Sequence, residues 1–70
     1  MNADMQKLKG KIVERNTTQE AIADAIGIDR STFYRKIKAN GATFSISEVH
    51  RIVEAIPLSK EEAVDIFLSQ

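Results

Sequence analysis

Residues 30–38 carry the side chains of this sequence that are best suited to chemistry. In a helix, Phe33 and Ile37 would lie one turn apart and share the face that turns to the core. The residues left on the outward face are Arg30, Ser31, Tyr34, Arg35 and Lys38. An arginine suits guanine, because its fork can donate to O6 and N7 together, and a serine hydroxyl can donate or accept one hydrogen bond. This pattern predicts a helix that reads bases in a DNA groove.

The polar side chains of this segment also have other interpretations. Arg30 and Arg35 can be ordinary solubilising residues. Tyr34 either contacts a base or sugar, as we predict, or is a surface aromatic residue. Thr32 can reach a phosphate or a thymine methyl group, and we predict phosphate binding. Asp29 has the wrong sign to face DNA, so we interpret it as a helix cap.

The preceding segment has the pattern needed to position this helix. Thr18 is a good N-cap, and Ile22, Ala23 and Ile26 form an apolar stripe at helical spacing. Gly27 can end that helix in the left-handed conformation at low cost. Residues 18–38 therefore predict a helix-turn-helix, in which the second helix enters the major groove of DNA.

The same segment resembles a known family. Taken in order, the pieces that carry the resemblance are Thr18-Gln19-Glu20, Ile22-Ala23, Ile26-Gly27-Ile28 and Ser31-Thr32. They resemble the helix-turn-helix of the lambda-type phage repressor and Cro family, an XRE-like group, most strongly over 18–35 and more weakly over about 8–68. The resemblance implies an all-α fold of five helices. It also implies base reading from the positions of Arg30, Ser31 and Arg35, and phosphate binding through those of Thr18, Gln19 and Lys38.

Two features depart from the family pattern, and one fits it on physical grounds. Lys36 occupies a slot that is often apolar in the family. In the family, an ion pair often joins the first and third helices. The matching positions here are Ile12 and Ile37. An apolar pair can replace a buried ion pair without loss of stability, so we expect these two residues to be in contact. Gln19 fits because the free N–H groups of a helix N-terminus attract phosphate.

A first helix is expected from about Asp4 to Arg15, with Asn2 or Asp4 as its cap and Asn16 as a left-handed stop. Its core-facing residues are predicted to be Leu8 and Ile12, flanked by Met5 and Val13. Gly10 lowers the helix propensity by about 1 kcal/mol relative to alanine. This helix is therefore expected to depend on packing.

Two further helices are predicted after residue 43. Ser45 with Glu48, and Ser59 with Glu62, have the spacing of capping boxes. The first of these helices should bury a stripe formed by Val49, Ile52, Val53 and Ile56. The second should cover about 60–68. The fold prediction is therefore an all-α domain of five helices, spanning residues 1–70 as a single unit.

Composition excludes several classes of protein. The 70 residues contain no cysteine and one histidine, His50, so we expect no disulfide, metal site or cofactor. No apolar run approaches the roughly 20 residues of a membrane span, and the start lacks the pattern of a signal peptide, so we expect a cytoplasmic protein.

The net charge is zero, but residues 1–41 hold eight bases and five acids, about +3, and residues 42–70 hold two bases and five acids, about −3. A positive end on the helix-turn-helix suits a DNA-binding protein.

These features together predict a sequence-specific transcriptional regulator of repressor or Cro type that binds a duplex DNA operator. The alternative is a protein-interaction module, such as an antitoxin-like helical domain. An enzyme is not expected, because the sequence has no glycine-rich phosphate loop and no nucleophile beside a base, and no small-molecule substrate is evident.

We also expect a homodimer, at least on DNA, because one small domain reads only a few base pairs. The C-terminal segment has more apolar residues than one buried stripe requires, namely Val64, Ile66, Phe67 and Leu68. We predict that Ile66 or Leu68 stays exposed and pairs across a two-fold axis. The alternative is that all four complete the core of a monomer.

Overall fold

Each helix in residues 3–68, the part of the chain that this computed structural model describes, begins at a side chain that caps it. The helices are α1 (Met5–Glu14), α2 (Gln19–Ile26), α3 (Arg30–Lys38), α4 (Ile46–Ala55) and α5 (Lys60–Phe67). Their N-caps are Asp4, Thr18, Asp29, Ser45 and Ser59. Within these residues there is no strand, so the all-α, five-helix prediction is confirmed. The two predicted capping boxes are also present.

The helices pack around a core made only of apolar side chains within the described residues. Its buried members are Met5, Leu8, Ile12, Ile22, Ala23, Ile26, Phe33, Ile37, Ile52, Ile56, Leu58, Ile66 and Phe67. Helix α2 packs against α3 and α4, and α1 packs against α5. Ile12 and Ile37 both belong to this core, and their direct contact stays a prediction.

The predicted left-handed glycine and helix cap are both present at the corner between α2 and α3. Gly27 adopts the left-handed conformation with φ of 79°, and its N–H bonds back to the carbonyls of Ala23 and Asp24. Asp29 then caps α3 by accepting from the N–H groups of Ser31 and Thr32. Ala23 is completely buried, as expected for a residue at a close approach of two helices. The start of α3 is thus fixed relative to α2 by backbone bonds and a cap.

Two predictions about apolar residues were wrong. Val13 is 74% exposed, because Met5, Leu8 and Ile12 already form the buried stripe of α1 and Val13 is rotated by about 100° from Ile12. Ile66 is only 1% exposed, so its side chain is not available for pairing with a second copy. Ile66 lies on the inward face of α5, and its carbonyl accepts from the N–H of Asp4 at 2.6 Å.

Lys36, at a position where the resemblance noted above favours an apolar residue, is accommodated by polar contacts. Its ammonium donates to the carbonyl oxygen of Thr43 at 2.9 Å and to Oε1 of Glu48 at 3.2 Å. It also lies 5.7 Å from the ring centroid of Phe44. These contacts join the end of α3 to the start of α4. Lys36 therefore holds the two helices by hydrogen bonds, where an apolar residue would hold them by packing.

Among the helices described, none is both long and apolar enough to cross a bilayer.

Candidate functional site

The outward face of α3 is polar over its whole length. Phe33 and Ile37 are 0% and 4% exposed and anchor the helix to the core, as predicted. The exposed residues of α3 are Arg30, Ser31, Tyr34, Arg35 and Lys38, and Thr32 is half-buried beside them. All five residues predicted to face outward therefore do so, on a helix held at both ends by the corner after α2 and by Lys36.

Arg30 is engaged by a carboxylate of the neighbouring helix. Its Nε donates to Oδ1 of Asp24 at 3.2 Å, and its Nη2 donates to Oδ2 of the same residue at 2.7 Å. The hydrogen bond from Arg30 lowers the pKa of the Asp24 carboxyl, and the same bond raises the pKa of the guanidinium. Both side chains are more than half exposed, so solvent screens the pair and it adds little to folding stability.

Tyr34, one turn after Arg30 on α3, has a similar partner one turn before Asp24 on α2. Its hydroxyl donates to Oε2 of Glu20. This hydrogen bond lowers the pKa of the Glu20 carboxyl and raises the pKa of the Tyr34 phenol. The phenolic proton is therefore committed to Glu20, which leaves the ring and the oxygen lone pair for any contact with a base or sugar.

The other residues of the face are less constrained. Nη2 of Arg35 donates to the hydroxyl of Thr32 at 3.1 Å, a neutral partner that leaves the arginine charge uncompensated. Lys38 and the hydroxyl of Ser31 have no hydrogen-bond or ion-pair partner within residues 3–68. Arg35 and Lys38 thus present net positive charge, whereas the charge of Arg30 is balanced by Asp24.

The predicted phosphate-binding residues of α2 lie beside Tyr34. The Thr18 hydroxyl accepts from the N–H of Ala21 at 3.0 Å, so it caps the helix. Thr18, Gln19, Glu20 and Tyr34 line one shallow groove of about 440 Å³. The structure therefore brings together residues from two predicted groups, one expected to bind phosphate and one expected to read bases.

Sequence reasoning missed the roles of Glu20 and Asp24. These two acids are four residues apart, so they share one face of α2, just as Arg30 and Tyr34 share one face of α3. That double spacing was available in the sequence. The spacing alone does not show that the side chains of the two helices are in contact, because that also depends on the angle between α2 and α3.

A second, larger groove lies at the C-terminal end of α3. It has a volume of about 1110 Å³ and is bordered by α1, the end of α3, and α4 and α5. Its lining includes Ile46, Val64 and Leu68, which are 91%, 46% and 48% exposed. Leu68 thus lies on an exposed apolar surface, as predicted. The exposure of Ile46, at the start of α4, was not predicted.

Two of the lysines of α1 are neutralised by acids of α5. Lys7 pairs with Asp65 at 2.8 Å, and Lys11 pairs with Glu62 at 2.7 Å. Arg15 also binds Glu62, at 2.9 Å. These pairs connect the basic and acidic halves of the chain away from α3, so the uncompensated positive charge at α3 belongs mainly to Arg35 and Lys38.

His50 is exposed, and residues 3–68 contain no group of three or more acidic or histidine side chains that could hold a metal ion.

Comparisons with known proteins identify no relative: no family model, curated protein or solved structure matches this chain.

Proposed function

We propose that this chain is a sequence-specific, duplex-DNA-binding transcriptional regulator of repressor or Cro type, which acts by occupying an operator and not by catalysis. The observation that carries the proposal is the division of α3 into a buried apolar face and an outward face of hydrogen-bonding and basic side chains. An α-helix with its side chains is about 10–12 Å across, so a helix such as α3 fits the major groove, which is roughly 12 Å wide.

The side chains of α3 divide into two roles in this proposal. Arg30 and Arg35 donate to guanine, while Ser31 and Tyr34 contact neighbouring base edges or sugars. Lys38, in the last turn, binds a backbone phosphate. Phosphate contacts fix the register of the protein on the duplex and carry no sequence information by themselves.

The N-terminus of α2 supplies the second set of phosphate contacts. Thr18 and Gln19 lie at the N-terminus of α2, where the positive end of the helix dipole favours an anion. Thr32 contributes a hydroxyl from α3. The Glu20 carboxylate lies at the same end, and its bond from Tyr34 directs it toward α3. Two phosphate-binding positions on either side of α3 would hold the helix in the groove.

Selection from a library of random duplexes by gel shift tests this proposal. The wild-type chain is expected to enrich a defined sequence, because base-edge contacts discriminate among duplexes and phosphate contacts do not. The selection is run at low salt, where attraction to phosphate is strongest. Recovery of an unenriched library under these conditions would reject the proposal.

The groove at Ile46 favours a second candidate function, a protein-interaction module. Three exposed apolar side chains, Ile46, Val64 and Leu68, line this groove, and a grouping of exposed apolar residues is typical of a surface that contacts another protein. Salt dependence separates the two functions. Binding to duplex DNA should weaken steeply with added salt, whereas a module of this second kind should show no duplex binding to weaken.

We further propose that two copies occupy one operator, paired through the groove that contains Val64 and Leu68. This surface replaces the predicted pair of Ile66 and Leu68, since Ile66 is buried. A two-fold assembly uses the same patch on both copies and requires a near-palindromic site.

A further inference from the structure

Two acids of α2 face two side chains of α3 across the corner between the helices. Asp24 holds Arg30 and Glu20 holds Tyr34, one helical turn apart along both elements. The acids have no role in the core, since both are outside it, and the cap of α3 is supplied separately by Asp29. The pairing therefore acts on the two outward side chains and not on the fold.

We propose that Asp24 is a positioning residue that sets the base preference of Arg30. This inference rests on the proposed function, DNA recognition by α3. The carboxylate occupies the Nε and Nη2 edge of the guanidinium, at 3.2 and 2.7 Å. Because the group is planar with five N–H donors, the opposite edge, formed by Nη1 and the second N–H of Nη2, remains unused by Asp24. That edge can donate to O6 and N7 of guanine together.

Holding the guanidinium in advance favours recognition for an entropic reason. A free arginine side chain loses rotamer freedom when it docks, and a side chain already fixed by a neighbour loses less. Losing the pair between Asp24 and Arg30 should lower the free energy of unfolding only slightly, because both side chains are exposed. A substitution at Asp24 is therefore expected to change recognition while the thermal melt stays close to that of the wild type.

The charge of Asp24 has a second effect in the same direction. An unpaired arginine is a good ligand for any phosphate, and such binding is independent of sequence. The carboxylate balances the charge of Arg30 and so reduces its attraction to the DNA backbone. Asp24 thus strengthens the preference for guanine and weakens binding to duplexes that lack it.

The experiment compares the wild-type chain with Asp24→Asn, which keeps the side-chain size and removes the charge. Affinity is measured for the selected duplex, for duplexes altered at one base pair, and for an unrelated duplex. Asp24→Asn should reduce discrimination at the base pair read by Arg30 by about three- to tenfold, a part of what one bidentate contact supplies. Its binding to the unrelated duplex should become more salt-dependent by about one unit of slope, because Arg30 is released to phosphate.

Two further variants make the result specific to Arg30. In an Arg30→Ala background, Asp24→Asn should cause no additional loss of base discrimination. Glu54→Gln removes an exposed acid of α4 that has no hydrogen-bond partner in residues 3–68. It should leave discrimination at every position unchanged.

The outcomes separate this inference from the proposed function. If the wild-type chain enriches no duplex, the proposed function itself fails. If it enriches a duplex and Asp24→Asn leaves discrimination intact, or lowers it equally without Arg30, the function stands and the role of Asp24 is rejected. Loss confined to the Arg30 base pair, absent in the Arg30→Ala background, supports the positioning role.

Discussion

Arg30 and Arg35 lie on the same face of α3 but are held by different partners. Arg30 is bound by the Asp24 carboxylate through two hydrogen bonds, whereas Arg35 is bound by the neutral hydroxyl of Thr32 through one. The charge of Arg35 is therefore not balanced by a carboxylate, and its side chain keeps more rotamer freedom than that of Arg30. We expect Arg35 to contribute to both phosphate attraction and base reading, and Arg30 to act mainly through its base contact.

Alanine substitutions should separate reading from positioning on the phosphate backbone. Arg30→Ala and Arg35→Ala should each cost about 1–3 kcal/mol on the selected duplex and relax the preference at one base position. Lys38→Ala should weaken all duplexes similarly and reduce the salt slope by about one. Fluorescence anisotropy over a salt series measures both quantities, with Lys60→Ala, an exposed lysine of α5, as the control. A changed base preference in Lys38→Ala but not in Arg30→Ala would contradict the proposed orientation of α3.

Two glycines provide a matched test of backbone conformation. Gly27 has φ of 79°, so an alanine there is strained although its Cβ would meet no atom within 4 Å. Gly10 lies in the interior of α1, and its Cβ would also meet nothing. Gly27→Ala should lower the free energy of unfolding by about 1–2 kcal/mol, and Gly10→Ala should raise it by about 0.5–1 kcal/mol. Thermal melts measure both shifts, and equal signs would contradict the assigned backbone of one of the two positions.

Helix boundaries were predictable from sequence because their signals are local. Thr18, Asp29, Ser45 and Ser59 act on backbone groups two or three residues away, and each caps the helix that it was expected to cap. The left-handed residues Gly27 and Asn16 are local in the same sense. Such features need no knowledge of how the helices are arranged.

Helix rotation and side-chain pairing were less predictable, because they depend on the arrangement of whole helices. On α5 the adjacent residues Ile66 and Phe67 both turn inward, and Leu68 remains half exposed. Nothing in the apolar run itself distinguishes these three positions. The pair of Asp24 and Arg30 likewise requires the angle at which α2 meets α3. For this reason the outward face of α3 was predicted and its acidic partners were not.

Glu62 ties α1 to α5 and predicts sensitivity to acid. The hydrogen bond from Lys11, the N–H of Ser59 and the guanidinium of Arg15 lower the pKa of its carboxyl to about 2, against an ordinary value near 4.5. A group with a lowered pKa stabilises the fold above its ordinary pKa and loses this contribution as the pH falls through the folded-state value. The stabilisation by Glu62 should therefore be complete above about pH 5 and decline toward pH 2.

The variant Glu62→Gln isolates this charge, since glutamine can still accept from the N–H of Ser59 in the capping box. The difference in Tm between wild type and Glu62→Gln should be largest near neutral pH and should shrink between about pH 5 and pH 2. Circular dichroism melts across this range measure it. A difference that stays constant with pH would show that the carboxylate charge does not stabilise the contact between α1 and α5.

The dimensions of the domain are compatible with pairing on DNA. The domain measures 28 × 23 × 20 Å, so two copies side by side can place their α3 helices about 34 Å apart, one turn of DNA. Pairing through Val64 and Leu68 would bury apolar surface that a monomer leaves in water.

Sedimentation of the protein with its selected duplex tests the assembly. Two protomers per duplex are expected for the wild type, and Leu68→Glu should reduce this to one without unfolding, because Leu68 is half exposed. His50→Glu, which adds the same charge at an exposed position of α4, should retain two protomers. One wild-type protomer on a non-palindromic site would rule out the dimer.

An NMR titration identifies the surface of the chain that binds DNA, which we propose to be the outward face of α3. Backbone amide shifts of the wild-type chain are followed as duplex DNA is added at low salt. The largest changes should fall on residues 30–38 and on residues 18–20 at the N-terminus of α2, with small changes over α5. Changes concentrated on α4 and α5 around Ile46 and Leu68, or no changes at any duplex concentration, would contradict this proposal.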